Sequence, residues 1–387
     1  MVNFVDEPRK FVIPEIVFGV GALDLVGRYA RNLGGSRILM VTDPGVTEAG
    51  WPQKVQRALV SEGLNPIRFA DVSPNPRAEE VMLGAERYAA EDCDVIVAVG
   101  GGSPMDCAKS IGIVSTNGRH VLEFEGVDRV DLPGPPLICI PTTAGTSADV
   151  SQFAIVNNIY ERFKIAIISK TVVPDVALID PVTTMTMDPQ LTASTGMDAL
   201  VHAAEALVSS ASSPLTDLHA LEAIRLVYNY LPAVLEAPDN LKLRGQVMLG
   251  SLEAGLAFSN ASLGAVHAMS HSLGGRLDMA HGESNSILVD HVVRFNWAAA
   301  EKRYRRMGAA MGLDLAGRPS EEAREALVDS VVAFKRRVGI RQTLKDCGVE
   351  PGDVPALARN ALNDPCMATN PILPTAAQIE TIYEEAF

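Results

Sequence analysis

Between residues 37 and 180, short apolar, β-branched runs alternate with amphipathic stretches. The runs Arg37–Asp43, Ile67–Asp71, Asp94–Gly100, Pro136–Thr142 and Val176–Asp180 end in small or turn residues and read as strands. Trp51–Glu62, Ala78–Glu91 and Ser103–Val114 carry helical spacing between them. Strands separated by helices of this length predict βαβ units and a mainly parallel sheet. From about Thr192 the strand-like runs give way to long helical patterns: Ala193–Ser209, Pro214–Tyr230, Asn240–Ser259, Pro319–Val338 and Ala376–Phe387. Pro232, Pro238, Gly282, Gly312 and Pro351 punctuate them. The change predicts an α/β domain over residues 1–190 and an all-helical domain over 191–387.

Composition narrows the function. With 33 Lys and Arg against 47 Asp and Glu, the net charge of −14 repels phosphate backbones and anionic lipid. No nucleic-acid or membrane partner is therefore expected. The N-terminal stretch MVNFVDEPRKFVIPEIVFG lacks the apolar core of a signal peptide. Apolar runs such as Ala154–Val156 and Ile165–Ile168 are strand-length, too short to span a bilayer. The five cysteines are widely spaced and form no CxxC pair, which predicts buried free thiols and a cytoplasmic location.

Two glycine-rich stretches compete for a dinucleotide. In Phe18-Gly19-Val20-Gly21-Ala22-Leu23-Asp24 the third glycine position is Asp24, whose carboxylate would face a pyrophosphate. Gly19 and Gly21 therefore read as turn residues. In the second, the strand ending at Val99 runs into Gly100-Gly101-Gly102 and then a helix with Ser103 as N-cap and Pro104 in its first turn. Three successive glycines exceed what a tight turn needs and let backbone N–H groups approach phosphate oxygens. Asp43 ends a strand, where a carboxylate can accept from ribose hydroxyls and repel a 2′-phosphate, favouring NAD over NADP. Capping the turn before Pro44 is its plainer use. Pro141-Thr142-Thr143-Ala144-Gly145-Thr146 suits phosphate or nicotinamide contacts and an ordinary loop equally.

Of seven histidines, His267, His271 and His281 fall within fifteen residues. His267 and His271 lie one helical turn apart, Gly274 and Gly275 are expected to end that helix, and His281 then returns from a loop. Asp198 and His202 form a second one-turn pair. Such pairs preorganise donors for a metal, and an all-N/O set suits Fe(II), Zn(II), Mn(II) or Co(II). Spacing does not choose between His267 and His271.

The segments TGMDALVHAAEA, GAVHAMSHSLGG, AHGESNSIL, VGGGSPMDCAK and PTTAGTS resemble signatures of the iron-containing (group III) alcohol dehydrogenases. Val72–Pro76 and Ala368–Pro371 extend the resemblance over nearly the whole chain. It implies the dehydroquinate synthase-like fold: an NAD-binding α/β domain, a helical metal-binding domain and an active site in the cleft between. It implies Asp198, His202, His267 and His281 as metal ligands, and His271 as a proton relay rather than a ligand. Cofactor contacts would fall to Asp43, Asn75, Gly101, Gly102, Ser103, Thr142, Thr143 and Lys164, with Gly100 and Thr146 of the same loops. The implied reaction is reversible hydride transfer between a small primary alcohol or diol and NAD, with Fe(II), or Zn(II) or another divalent metal, activating the alcohol oxygen. A homodimer or larger homo-oligomer is expected.

Departures from the family pattern stand at Ser147-Ala148-Asp149, where Gly-Ser-Glu is frequent, at Ser272 and at Val289-Asp290-His291. They bear on the substrate rather than the chemistry. The rivals are a glycerol dehydrogenase-like zinc enzyme with three ligands, against which His202 speaks, and a regulatory NAD- and metal-binding protein with little turnover.

Overall fold

Val95–Val99 offer no polar side chain to either face, so this run belongs at the centre of a sheet covered on both sides. The computed structural model, which describes residues 8–387, shows this. Nine strands are described: β1 (Glu15–Phe18), β2 (Arg37–Val41), β3 (Asn65–Phe69), β4 (Val95–Gly100), β5 (Gly126–Val127), β6 (Leu137–Pro141), β7 (Phe153–Asn158), β8 (Phe163–Ile168) and β9 (Val176–Ile179). Six form a parallel sheet in the order β1-β9-β6-β4-β2-β3. The helices of this region are α1 (Val26–Asn32), α2 (Pro44–Glu48), α3 (Trp51–Ser61), α4 (Ala78–Ala90) and α5 (Gly102–Asn117). Side chains alternate along each strand. Ile38, Met40, Val95 and Val97 meet α1 and α3 through Val26, Ala30, Val55 and Leu59. Leu39, Val41, Ile96 and Ala98 meet α4 and α5 through Val81, Ala85, Met105 and Ile111.

The chain passes from β2 outward to β3 and then back across to β4. The strand order therefore reverses between β2 and β4, whose carboxyl ends carry Asp43 and Gly100–Gly102. Ligands of open α/β sheets gather at such a crevice. The strand-length runs near residues 154 and 165 pair as the antiparallel hairpin β7–β8, with β5 beside β8.

One expectation fails at the glycine turn. Helix α5 begins at Gly102 with Gly101 as N-cap, not at Ser103. Gly101 takes the extended conformation of an N-cap and Gly102 the first helical one, and the Ser103 hydroxyl donates to the Pro74 carbonyl instead of capping the helix.

Val12–Met187 forms one compact unit, and Asp188–Phe387 forms a second with the described residues before Val12. The second contains α6 (Pro189–Val208), α7 (Pro214–Glu236), α8 (Leu241–Ala261), α9 (Ala265–Leu277), α10 (His281–Ala310), α11 (Ser320–Arg337), α12 (Val354–Asn363) and α13 (Ala376–Glu385). Helix α6 is buried almost all round, against α7, α8 and α10.

Three sequence expectations are corrected here. Helix α7 runs through the buried Pro232 to Glu236, where the burial of Leu231, Pro232 and Val234 offsets the lost N–H donor. Gly274 and Gly275 lie inside α9, which ends at Leu277 with Asp278 in the left-handed region at φ 55°. His281 is not on a loop but is the first residue of α10.

Candidate metal centre and cofactor loops

Helix α6 starts where Asp188 caps it by accepting from Leu191 N at 2.8 Å. Two turns in, Gly196 lets it approach Leu231 of α7, where a Cβ would meet Leu231 Cδ1 at 2.5 Å. The next turns project Asp198 and His202 into the interior. Helix α9 adds His267 and the start of α10 adds His281.

These four residues come together, each offering a ligand atom within 4.8 Å of the others. Asp198 Oδ1 lies 3.7 Å from His267 Nε2 and 3.8 Å from His281 Nε2, and Asp198 Oδ2 lies 3.9 Å from His202 Nδ1. Donors held about 2.0–2.2 Å from one ion lie roughly 3–4 Å from each other, so the spacing fits a divalent first-row metal. The His202 ring stacks between Phe258 and His267, with centroids 4.2 and 4.5 Å away. Burial alone would raise the Asp198 carboxyl, but His202, His281 and His267 hold it far below the usual carboxylate range. Burial likewise pulls His267 down, yet Asp198 and Glu205 hold it up at about 9. The four groups thus form a carboxylate facing proton- or metal-binding nitrogens. His281, with its side chain 26% exposed, is the accessible member.

Supporting groups surround the cluster, and of them only Glu205 shares the helical spacing of Asp198 and His202. Glu205 Oε2 lies 2.6 Å from His267 Nδ1. Asn285 Nδ2 donates to Asp198 Oδ1 at 2.7 Å and lies 3.1 and 3.2 Å from Nε2 of His267 and His281, so three donor atoms face a common point. Its Oδ1 is buried with no hydrogen-bond partner among the described residues. Ser270 Oγ reaches His281 Nδ1 at 3.2 Å. His271 falls outside the four-residue group: its Nδ1 binds Asp364 Oδ2 at 2.8 Å, in a separate cluster with Cys366. Its ring stacks on His281 with centroids 5.3 Å apart.

In the α/β unit, Gly100 has φ 155° and its carbonyl accepts from Thr142 N at 2.9 Å, joining the two loops. A Cβ at Gly102 would meet Thr146 Cγ2 at 3.1 Å and one at Gly101 would meet Thr143 Cγ2 at 3.3 Å. Part of the glycine requirement is therefore this close approach. Asp43 caps α2 through Val46 N at 2.8 Å, and its burial raises the carboxyl. Asn75 follows Pro74, the acceptor of the Ser103 hydroxyl. Lys164 lies on β8, opposite Asn157. The Gly19–Gly21 stretch is a turn, with Gly21 N donating to Asp180 Oδ2 at 2.9 Å.

A parallel sheet with a glycine turn at its switch point, and a helical unit with an Asp–His₃ cluster that could hold a metal, are the parts from which a dinucleotide-linked metalloenzyme is built. The family model for iron-containing alcohol dehydrogenase matches residues 14–181 and that for the Fe-containing alcohol dehydrogenase family, C-terminal, matches 192–387. The chain is 37% identical to 1,3-propanediol dehydrogenase of Citrobacter freundii, over 97% of this chain and 98% of that one. It is 33% identical to NAD-dependent methanol dehydrogenase of Bacillus methanolicus, over 97% and 99%. A crystal structure of 1,3-propanediol oxidoreductase superposes with a TM-score of 0.95 at 37% identity, covering 98% of this chain and all of that one. The chain belongs to the iron-containing alcohol dehydrogenase family, and it is an NAD-linked oxidoreductase of that family.

Proposed function

We propose that Asp198, His202, His267 and His281 hold one divalent ion, Fe(II) with Zn(II) or another divalent metal as alternative, and that the substrate is a small primary alcohol or diol. The observation that carries the ion site is the convergence of four N and O donors within 4.8 Å, three of them buried and His281 half-buried. Relatives named for 1,3-propanediol and methanol support the substrate class. When bound, the ion supplies Lewis acidity to an alcohol oxygen and NAD supplies the hydride acceptor.

The chain's own groups do the positioning. Asp198 offsets cationic charge, and His281 lines the accessible side. His271, with Nδ1 directed at Asp364, keeps Nε2 to accept and pass on a proton. Gly100, Gly101, Gly102 and the first turn of α5 present backbone N–H groups to a pyrophosphate. Ser103, Thr142, Thr143, Thr146, Asn75 and Lys164 line this reading of the cofactor site, and the second carboxylate oxygen of Asp43 takes the ribose. Residence in the cytoplasm and assembly as a homodimer or larger homo-oligomer belong to the same proposal. The absence of disulfides supports the first, and no described helix is long and apolar enough to cross a membrane.

Elemental analysis of anaerobically purified protein, with NADH formation followed over short-chain alcohols and diols under Fe(II) or Zn(II), tests this reading. His267→Ala is expected to lose metal and turnover together. Normal turnover by a metal-free variant would overturn the mechanism, and silence with every metal would point to a regulatory protein.

A further inference from the structure

Helix α9 has no N-terminal cap of its own: Gly264 stands at the N-cap position without a side chain. The first amides of a helix need outside acceptors. Glu205 accepts from Gly264 N at 3.1 Å, Val266 N at 2.7 Å and His267 N at 3.4 Å, while Asn370 Oδ1 accepts from Ala265 N at 3.1 Å. Four successive amides are thus served by two side chains distant in sequence. Gly264 is required for the approach, since a Cβ there would lie 2.9 Å from Glu205 Oε1 and 2.8 Å from Asn370 Oδ1.

The same Glu205 Oε2 lies 2.6 Å from His267 Nδ1, both groups being buried. A carboxylate accepts only, so Nδ1 keeps its hydrogen toward Glu205, and Nε2, the nitrogen 3.7 Å from Asp198 Oδ1, is the one that gives up its proton to bind an ion. Glu205 stands seven residues after Asp198 and three after His202, on one face of α6. A single helix therefore presents two of the four clustered donors and the group that aims a third.

We propose that Glu205 is the positioning residue of the metal centre: its carboxylate caps α9 and locks His267 with Nε2 toward the ion. The inference rests on the four-ligand reading above. Asn370 supplies the internal control, because it caps the same helix end without touching the imidazole.

Co(II) binding by the full-length apoprotein, measured by competition with a chelator and by its d–d spectrum, tests the proposal in wild type, Glu205→Gln and Asn370→Ala. Glu205→Gln is expected to bind Co(II) about 10–100-fold more weakly with an altered spectrum. Asn370→Ala is expected to melt earlier and to keep the wild-type affinity and spectrum. A folded Glu205→Gln with wild-type affinity and spectrum overturns the proposal, and so does an equal loss of affinity in both variants. Wild type that binds no Co(II) overturns the metal reading instead. Should Glu205→Gln fail to fold, ¹⁵N-histidine NMR of the Zn(II)-loaded wild type decides: Nδ1–H with metallated Nε2 is expected, and the opposite arrangement overturns the proposal.

Discussion

Gly282 lies against the backbone of Ser194, so that a Cβ at residue 282 would meet the Ser194 carbonyl oxygen at 2.6 Å. The contact joins the second turn of α6 to the first turn of α10, the helices that carry Asp198, His202 and His281. The obstacle is a carbonyl rather than a movable side chain, so Gly282→Ala must displace the start of α10. We expect a loss of about 1–3 kcal/mol in stability and weaker metal binding, because His281 shifts with its helix. Urea unfolding and Co(II) titration check both, and unchanged Co(II) affinity would show that the helix start moves without its imidazole.

Ser147 occupies the left-handed region at φ 51°, which favours glycine. A left-handed conformation costs a non-glycine residue roughly 1–2 kcal/mol, whereas glycine costs roughly 0.5–1 kcal/mol more in unfolded-chain entropy. Ser147→Gly should therefore stabilise the α/β unit by up to about 1 kcal/mol. A raised urea midpoint with unchanged slope is the expected outcome, and a lowered midpoint would show that the serine hydroxyl matters more than the backbone.

Asp149 is buried, which raises its carboxyl from 3.8 to about 6 despite its own backbone N–H and Lys109. A folded-state value above the unfolded one means that the native protein holds this proton more tightly. Its contribution is therefore fully present below pH ~4 and is lost as pH rises through about 6, a change on the order of 2–3 kcal/mol. Asp149→Asn should flatten that part of the stability profile. Parallel profiles for variant and wild type would show that Asp149 titrates normally.

His271→Ala is expected to keep the metal and lose rate, since this ring pairs with Asp364 and stands outside the Asp198 cluster. Asp364→Asn should slow turnover about 10-fold, less than His271→Ala, because His271 remains but its tautomer is freed. An unchanged pH–rate profile in both variants would remove the relay.

The alternation of apolar runs, the three-glycine turn and the two one-turn pairs Asp198/His202 and His267/His271 are local patterns, and local patterns are what a linear chain displays. They were enough to expect an α/β unit before a helical one, and to mark the histidines. Spacing could not rank His267 above His271, because both project from one face of α9. The fold separates them by giving one Glu205 and Asp198, and the other Asp364. Glu205 and His267 are 62 residues apart, and His271 and Asp364 are 93 apart. Such pairings depend on how helices pack, a property no single segment contains. The same holds for Gly282, whose need for a bare Cα arises only from Ser194 on another helix, and for Ser103, whose hydroxyl is taken by the distant Pro74 carbonyl rather than by the helix end beside it.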